Sequence, residues 1–439
     1  MQTCLPELDG KVLCGRYRVF EDRAQADGRV IDLAFVLAKA FDADSAHTDA
    51  VTFFFGGPGA SSIVLAPGTI NSYRGRQLRQ HRDLLFLDFR GVGQSAPLYC
   101  DVPYPGGIAS RFGTLFPVDH AEACRDKLIQ GTDLSQYHTA ANMDDLDELR
   151  QWLGYEALNL VGGSYGTREI QVYLRRHPES ARVAVLNGVS PIFETSYIKH
   201  AVRLQQALDT FAAECELDEQ CSERFPNFAE QLQSTLQRTQ VDPPAVKAEG
   251  VDVVFGPGEF GYALRGLLYG RADDIPKLIE DATKGNWQPL VDYYIERTNW
   301  VGAGGGLVPS GMHFSVLCAE DIVRVSRQDI AEQTAGTFLG DYLIGGYKNV
   351  CDIWPHAKMP AEFFKPVVSD VPALLLSGKR DPVTPPSGAD AVGRHLTNSL
   401  HITVTAAGHG VGGRCVNEIE VEFIQAGTLR GLDTSCVQQ

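Results

Sequence analysis

The stretch Leu158-Asn159-Leu160-Val161-Gly162-Gly163-Ser164-Tyr165-Gly166-Thr167-Arg168 decides the fold. Leu158 to Val161 is a short apolar run of the kind that forms a buried strand, and Thr167 to Arg176 reads as a helix until His177-Pro178 breaks it. Between them, Gly162 to Gly166 spells Gly-x-Ser-x-Gly on a strand, a sharp turn and a helix. Such a turn lifts a serine hydroxyl above the end of a sheet in a cramped backbone, and side chains at Gly162 or Gly166 would clash there. A serine hydroxyl is a weak nucleophile until a base takes its proton. The pattern therefore demands a histidine, and an acid that fixes the histidine's tautomer.

Working outward, Ile31 to Leu37, Val51 to Phe55 and Leu84 to Phe89 are β-prone runs upstream, and Val183 to Leu186 follows downstream. A helix is expected to start at Asn142, capped there with Asp145 three residues on, to place Leu146, Leu149 and Leu153 on one face, and to end near Gly154. From about Pro191 to Lys365 the rhythm changes to longer helical stretches, such as Ala201 to Cys215 and Phe228 to Gln237. Short strands return at Ala373 to Ser377 and His401 to Val404. Alternating strands and helices mean an α/β protein with a mostly parallel sheet covered by helices. The expected organisation is a core over 1–190 and 366–439, interrupted by a mainly helical insertion over 191–365. The glycine-rich 302–306 stretch inside the insertion is expected to be a mobile loop.

Both partners of Ser164 occur in the order Ser, Asp, His. Asp381 stands in Ser377-Gly378-Lys379-Arg380-Asp381-Pro382-Val383-Thr384-Pro385, directly after a buried strand, and His409 stands in Gly408-His409-Gly410 after the next one. Each alone has an ordinary reading, Asp381 as a turn aspartate and His409 as a solvated loop histidine. Three such residues after three strands favour nucleophile, base and orienting acid. The oxyanion of an acyl-transfer intermediate needs backbone N–H donors. Tyr165, next to the serine, should give one, and the loop Phe55-Gly56-Gly57-Pro58-Gly59 the other, with Gly57 favoured over Gly56. Asp88 and Arg90 are read as structural, bracing that loop, because the acid is already supplied.

The 39 Lys and Arg against 55 Asp and Glu give a formal charge of −16, a poor match for a nucleic acid, whose binding depends on cationic side chains. No apolar run reaches the eighteen or so residues that span a bilayer. Ten cysteines fall into five close pairs, Cys4 with Cys14, Cys100 with Cys124, Cys215 with Cys221, Cys318 with Cys351 and Cys415 with Cys436. Disulfides and an oxidising compartment are the favoured reading over scattered free thiols. No cysteine has zinc-site spacing, so no metal is expected. Met1 to Gly10 lacks a basic segment followed by an apolar one, so an export signal is expected in a precursor rather than here.

Five motifs in order, Gly56-Gly57-Pro58-Gly59, Asp88-Phe89-Arg90-Gly91-Val92-Gly93-Gln94-Ser95, Gly162-Gly163-Ser164-Tyr165-Gly166, Asp381-Pro382-Val383-Thr384-Pro385 and Gly408-His409-Gly410, resemble the prolyl iminopeptidase and tripeptidyl aminopeptidase family. Phe55 stands where the iminopeptidase branch has a histidine, which moves the resemblance towards the tripeptidyl aminopeptidase branch. The resemblance implies an α/β-hydrolase fold with an inserted helical cap, and a serine exopeptidase, an aminopeptidase releasing residues or short peptides from free N-termini. The triad mechanism needs no cofactor, and the cysteines suggest a secreted or periplasmic location. It also implies that cap carboxylates, Glu320 and Asp321 in Cys318-Ala319-Glu320-Asp321, hold the substrate's free α-ammonium group. A carboxylesterase or lipase-like hydrolase is the alternative, since the same triad cleaves esters. The expected partner is a peptide or small ester. Oligomeric state stays open.

Overall fold

The structure is a computed structural model that describes residues 1–439 except 6, 7, 9, 10, 26, 43–45, 300, 303–306 and 439. The expected mobile loop therefore lies, from 303 on, outside the described residues. The central sheet contains β1 (Gln2–Thr3), β2 (Val12–Phe20), β3 (Val30–Ala38), β4 (Asp49–Phe54), β5 (Asp83–Leu87), β6 (Ala157–Gly163), β7 (Ala181–Asn187), β8 (Ala373–Gly378) and β9 (Ser399–Val404). Their order across it is β1-β2-β3-β5-β4-β6-β7-β8-β9. The pairs β1 with β2, β2 with β3 and β3 with β5 are antiparallel, and the pairs from β5 across to β9 are parallel.

The parallel strands read as unbroken apolar runs because helices cover both faces. Alternation along each strand then sorts side chains into two cores. Ala50, Phe54, Leu85, Leu87, Leu160 and Leu375 pack into one, and Val51, Phe53, Leu84, Phe86, Val161 and Leu376 into the other. With β6 between β4 and β7, the loops that leave the carboxyl ends of β4, β6, β7, β8 and β9 emerge side by side, the usual location of a ligand crevice in such sheets.

The helix expected from Asn142 spans Thr139–Leu153. It starts earlier because the His138 side chain caps it, its Nδ1 accepting from the Ala141 N–H at 3.2 Å; Asn142 lies buried in the first turn. It ends at Gly154, which takes the left-handed conformation at φ 83°. Between β7 and β8 the chain is mostly helical, including His200–Leu217, Phe228–Val241, Pro257–Gly270, Gln288–Thr298, Ser310–Glu320 and Tyr342–Cys351. It also contains a hairpin, Ala245–Ala248 with Val251–Val254, turned by Glu249 and Gly250 at φ 50° and 86°. All five expected cysteine pairs are disulfides, with Cα separations from 5.0 to 5.9 Å. Cys318–Cys351 ties helix Ser310–Glu320 to helix Tyr342–Cys351. Among the described residues no helix is long and apolar enough to cross a membrane.

Candidate active site

Ser164 follows β6 with φ 55°, left-handed although it is not glycine. Its neighbours explain how that backbone is held. A Cβ on Gly166 would stand 2.4 Å from the Phe54 carbonyl oxygen, and one on Gly162 would stand 2.9 Å from the Gly166 carbonyl oxygen. Both approaches are closer than a carbon can make, so the two glycines are required by contact. Helix Gly166–Arg176 starts immediately after the turn.

Asp381 follows β8 and is 4% exposed. Its Oδ1 accepts from the N–H groups of Val383 at 2.8 Å and Thr384 at 2.9 Å. Its Oδ2 accepts from the Thr384 hydroxyl at 2.6 Å and from His409 Nδ1–H at 2.9 Å. Burial alone would raise this carboxyl's pKa; the hydrogen bond and charge of His409, with Thr384, outweigh burial and hold it below its ordinary value. An ionised Asp381 keeps the proton on His409 Nδ1 and leaves Nε2 able to accept one.

Residues outside the sequence expectations hold this pair in place. Thr384 Oγ1 lies 3.1 Å from His409 Nδ1, so one hydroxyl bridges acid and base. Gly188, just after β7 at φ 67°, lies close against them: a Cβ there would be 2.9 Å from Thr384 Oγ1 and 3.7 Å from His409 Cε1. Asn187 pins the histidine loop, its amide donating to the Val411 carbonyl at 2.6 Å and accepting from the Val411 N–H at 2.8 Å. The Asn187-Gly188 pair at a strand end was the available sequence signal, and a threonine three residues after the acid was another.

Ser164, His409, Thr384, Gly56, Gly57 and Tyr165 all line one cavity of about 500 Å³. A Cβ on Gly56 would sit 3.3 Å from Ser164 Oγ, so this loop passes directly beside the hydroxyl. Neither the Gly57 nor the Tyr165 backbone N–H has a hydrogen-bond partner among the described residues, which leaves both as donors. Asp88 braces the start of the next helix: its carboxylate accepts from Ser61 Oγ at 2.8 Å, the Ile63 N–H at 3.1 Å and the Gln94 N–H at 2.9 Å. Arg90 does not touch that loop. It pairs with Asp145 at 2.7 and 2.8 Å and donates to the Glu21 carbonyl at 2.7 Å, clamping helix Thr139–Leu153 instead.

The other side of the cavity comes from the helical insertion: Tyr197, His200, Tyr262, Arg265, Tyr269, Arg297, His313 and Tyr347. His313 Nδ1–H donates to the Pro58 carbonyl at 3.0 Å, and its Nε2 accepts from the Tyr347 hydroxyl at 2.8 Å. Burial pushes its pKa down to about 4, so it is neutral near pH 7. The Tyr269 ring packs against His409 with centroids 4.9 Å apart.

Glu320 and Asp321 do not face this cavity, and here the expectation is corrected. Glu320, 2% exposed, accepts from the Tyr165 hydroxyl at 2.7 Å, the Thr139 N–H at 2.7 Å and the Thr139 hydroxyl at 3.0 Å. Asp321, fully buried, pairs with Arg168 at 3.0 Å and accepts from the Ser196 N–H at 3.0 Å. Their acceptor capacity is spent inside the protein, binding the insertion to the helices at Thr139 and Gly166. They position Tyr165 and Arg168 and leave nothing for an ammonium group.

Fold and chemistry together define a serine hydrolase of the α/β-hydrolase fold. A family model described as TAP-like protein matches residues 336–436, the segment that carries Asp381 and His409. Serine protease Hip1 of Mycobacterium tuberculosis is 25% identical over 98% of this chain and 88% of its own length. The tripeptidyl aminopeptidase of Streptomyces lividans is 25% identical over 97% of this chain and 83% of its own. Among solved structures, the proline iminopeptidase of Mycobacterium smegmatis is 13% identical, covering 94% of this chain and 98% of that one with a TM-score of 0.42. The chain is thus similar to TAP-like proteins over its last quarter and to two serine peptidases over nearly its whole length.

Proposed function

We propose that Ser164 is the nucleophile, His409 its general base and Asp381 the residue that orients that base. The Gly57 and Tyr165 N–H groups receive the oxyanion. Ser164 Oγ bonds to the substrate's carbonyl carbon as its proton passes to His409 Nε2. The C–N bond then breaks, and the same proton goes to the leaving amine. Water, deprotonated by His409, cleaves the acyl-enzyme and restores Ser164. One observation carries this reading: an ionised, fully hydrogen-bonded Asp381 holds His409 at the rim of a cavity that also contains a serine on a strained turn.

The substrate proposed is a free peptide end. Residues 191–365 act as a cap over a core of 1–190 and 366–439, and the partly open cavity of about 500 Å³ is of small-molecule size. It admits a few terminal residues and excludes the middle of a folded chain. The reading is therefore an aminopeptidase that releases short peptides, of the kind its Streptomyces relative is named for. Admission rests on size, because the acid at the cavity wall, Glu420, is already paired with Arg74. The five disulfides suit an oxidising location, so we place the enzyme outside the cytoplasm, secreted or periplasmic.

The test is hydrolysis of a tripeptidyl chromogenic amide, the same amide extended by four N-terminal residues, and a short-chain ester. Cleavage of the tripeptidyl amide by wild type at least about 10-fold faster than the extended one, with Ser164→Ala inactive on both, is expected from size-limited entry. That no unpaired acid stands at the wall among the described residues favours one second reading, an esterase. Turnover of the ester alone would establish it against the peptidase.

A further inference from the structure

Arg265 and Arg297 line the cavity, and among the described residues neither has a carboxylate partner. The sole polar contact of the Arg265 guanidinium with a described residue runs from Nη2 to the Tyr269 hydroxyl at 3.2 Å. The Nε atoms of both arginines are buried without any partner. Arg265 sits over two aromatic faces, 4.8 Å from the Tyr269 centroid and 5.4 Å from that of Tyr262. The nearby imidazoles are neutral, since burial holds His200 well below its ordinary pKa and His313 at about 4, and so offer no counter-charge. The remaining cation at the wall, Arg74, is neutralised by Glu420.

In a chain with a formal charge of −16, this placement is unusual. Most buried arginines here are answered by an acid: Arg90 by Asp145, Arg168 by Asp321, Arg82 by Asp49. Arg265 and Arg297 are half-buried; an unpaired guanidinium drawn partly out of water is costly, and aromatic faces return only part of that cost. Arg265 is thus stabilised in place by rings that cannot satisfy its donors. Its planar fork is suited to two parallel hydrogen bonds with a carboxylate.

We infer that the missing partner is the substrate's: Arg265, supported by Arg297, is a specificity-determining residue that selects substrates bearing a carboxylate near the bond attacked by Ser164. This deepens the peptidase reading above and rests on it. Tyr269 touches both Arg265 and His409, which places the anion within one ring of the base. Two sources supply that chemistry, an acidic side chain on the acyl portion or the free C-terminal carboxylate of a short leaving peptide.

Two matched series distinguish them. In one, the residue whose carbonyl is attacked is Glu or Gln; in the other, the leaving peptide ends as free acid or as amide. Wild type is expected to favour the acid over its amide by about 10- to 100-fold in kcat/KM in at least one series, the range for charge-assisted hydrogen bonds. The ratio should collapse towards one in Arg265→Gln, chiefly through KM, and be partly retained in Arg265→Lys. Equal rates for acid and amide in both series, or an unchanged ratio in Arg265→Gln, would overturn the inference. A second measurement needs no variant: succinate, but not succinamide, should inhibit wild-type cleavage of a neutral substrate competitively at constant ionic strength, and equal inhibition by both would count against it. If only esters are turned over, the peptidase reading fails while ester versions of the same pairs still report on Arg265. Activity of Ser164→Ala equal to wild type would instead remove the catalytic site on which both rest.

Discussion

On the sheet side of the cavity, acid and base are held by their neighbours: Asp381 accepts from Val383, Thr384 and His409, Thr384 bridges Asp381 and His409, and Asn187 ties down the histidine loop, while the Gly57 and Tyr165 N–H groups stay open. On the helix side, Arg265 and Arg297 keep donors without partners among rings of tyrosine. The first region is preorganised before substrate arrives, its acid and base fixed and its two open N–H donors already in place, so that they cost no reorganisation during the reaction. The second is incomplete, and a ligand completes it. Chemistry and selectivity are thus separated by wall, and substitutions on the two sides should fail in different ways.

The largest expected effect is on the sheet side. Asp381→Asn should lower kcat by about 10³- to 10⁴-fold, since an amide stabilises the wrong tautomer of the base. Steady-state kinetics check it, and a loss under 10-fold would mean that Thr384 alone orients His409. Next, Gly188→Ala should cost about 10²-fold in kcat/KM, because its Cβ would press on Thr384 and the backbone there is left-handed. A variant as active as wild type would show that the acid–base pair tolerates displacement.

Glu320→Gln sharpens the contrast from the other direction. It should destabilise the fold by about 1–3 kcal/mol, measured by urea unfolding, through loss of a buried charge-assisted network. The ratio of rates for free and N-acetylated substrates should stay as in wild type. A selective loss on the free-amine substrate would restore Glu320 as an ammonium site.

The smallest effect is a linkage to pH. The folded-state pKa of Asp381 lies below its ordinary value, so the stability it contributes is complete above about pH 4 and is lost as pH falls through the folded value. The difference in urea midpoint between wild type and Asp381→Asn should be constant from about pH 7 to 5 and narrow below about pH 4. A difference that widens on acidification would contradict that assignment.

The two walls also differ in how far the sequence discloses them. Gly162, Ser164, Gly166, Asp381 and His409 are legible because each requirement is local: a strand end, a glycine whose Cβ would clash, a loop that must reach the sheet edge. The strands themselves follow from the same apolar runs, whereas their order across the sheet depends on long-range pairing. The resemblance implies an ammonium site at Glu320, but helix Ser310–Glu320 is buried on every side, and neither a motif match nor periodicity tells which of its residues meets the cavity. His313 does, and Glu320, about two turns on, meets Tyr165 instead. Tyr262, Arg265 and Tyr269 carried a usable signal, one face of a helix at i, i+3 and i+7, but its meaning depends on long-range packing that brings His409 beneath it.

The most direct test of the central claim is covalent. Wild type and Ser164→Ala would be treated with a fluorophosphonate and analysed by intact mass and peptide mapping. The account predicts one adduct per chain on the peptide that contains Ser164, none in Ser164→Ala, and much slower labelling in Asp381→Asn. An adduct on another residue, or equal labelling of Ser164→Ala, would contradict it.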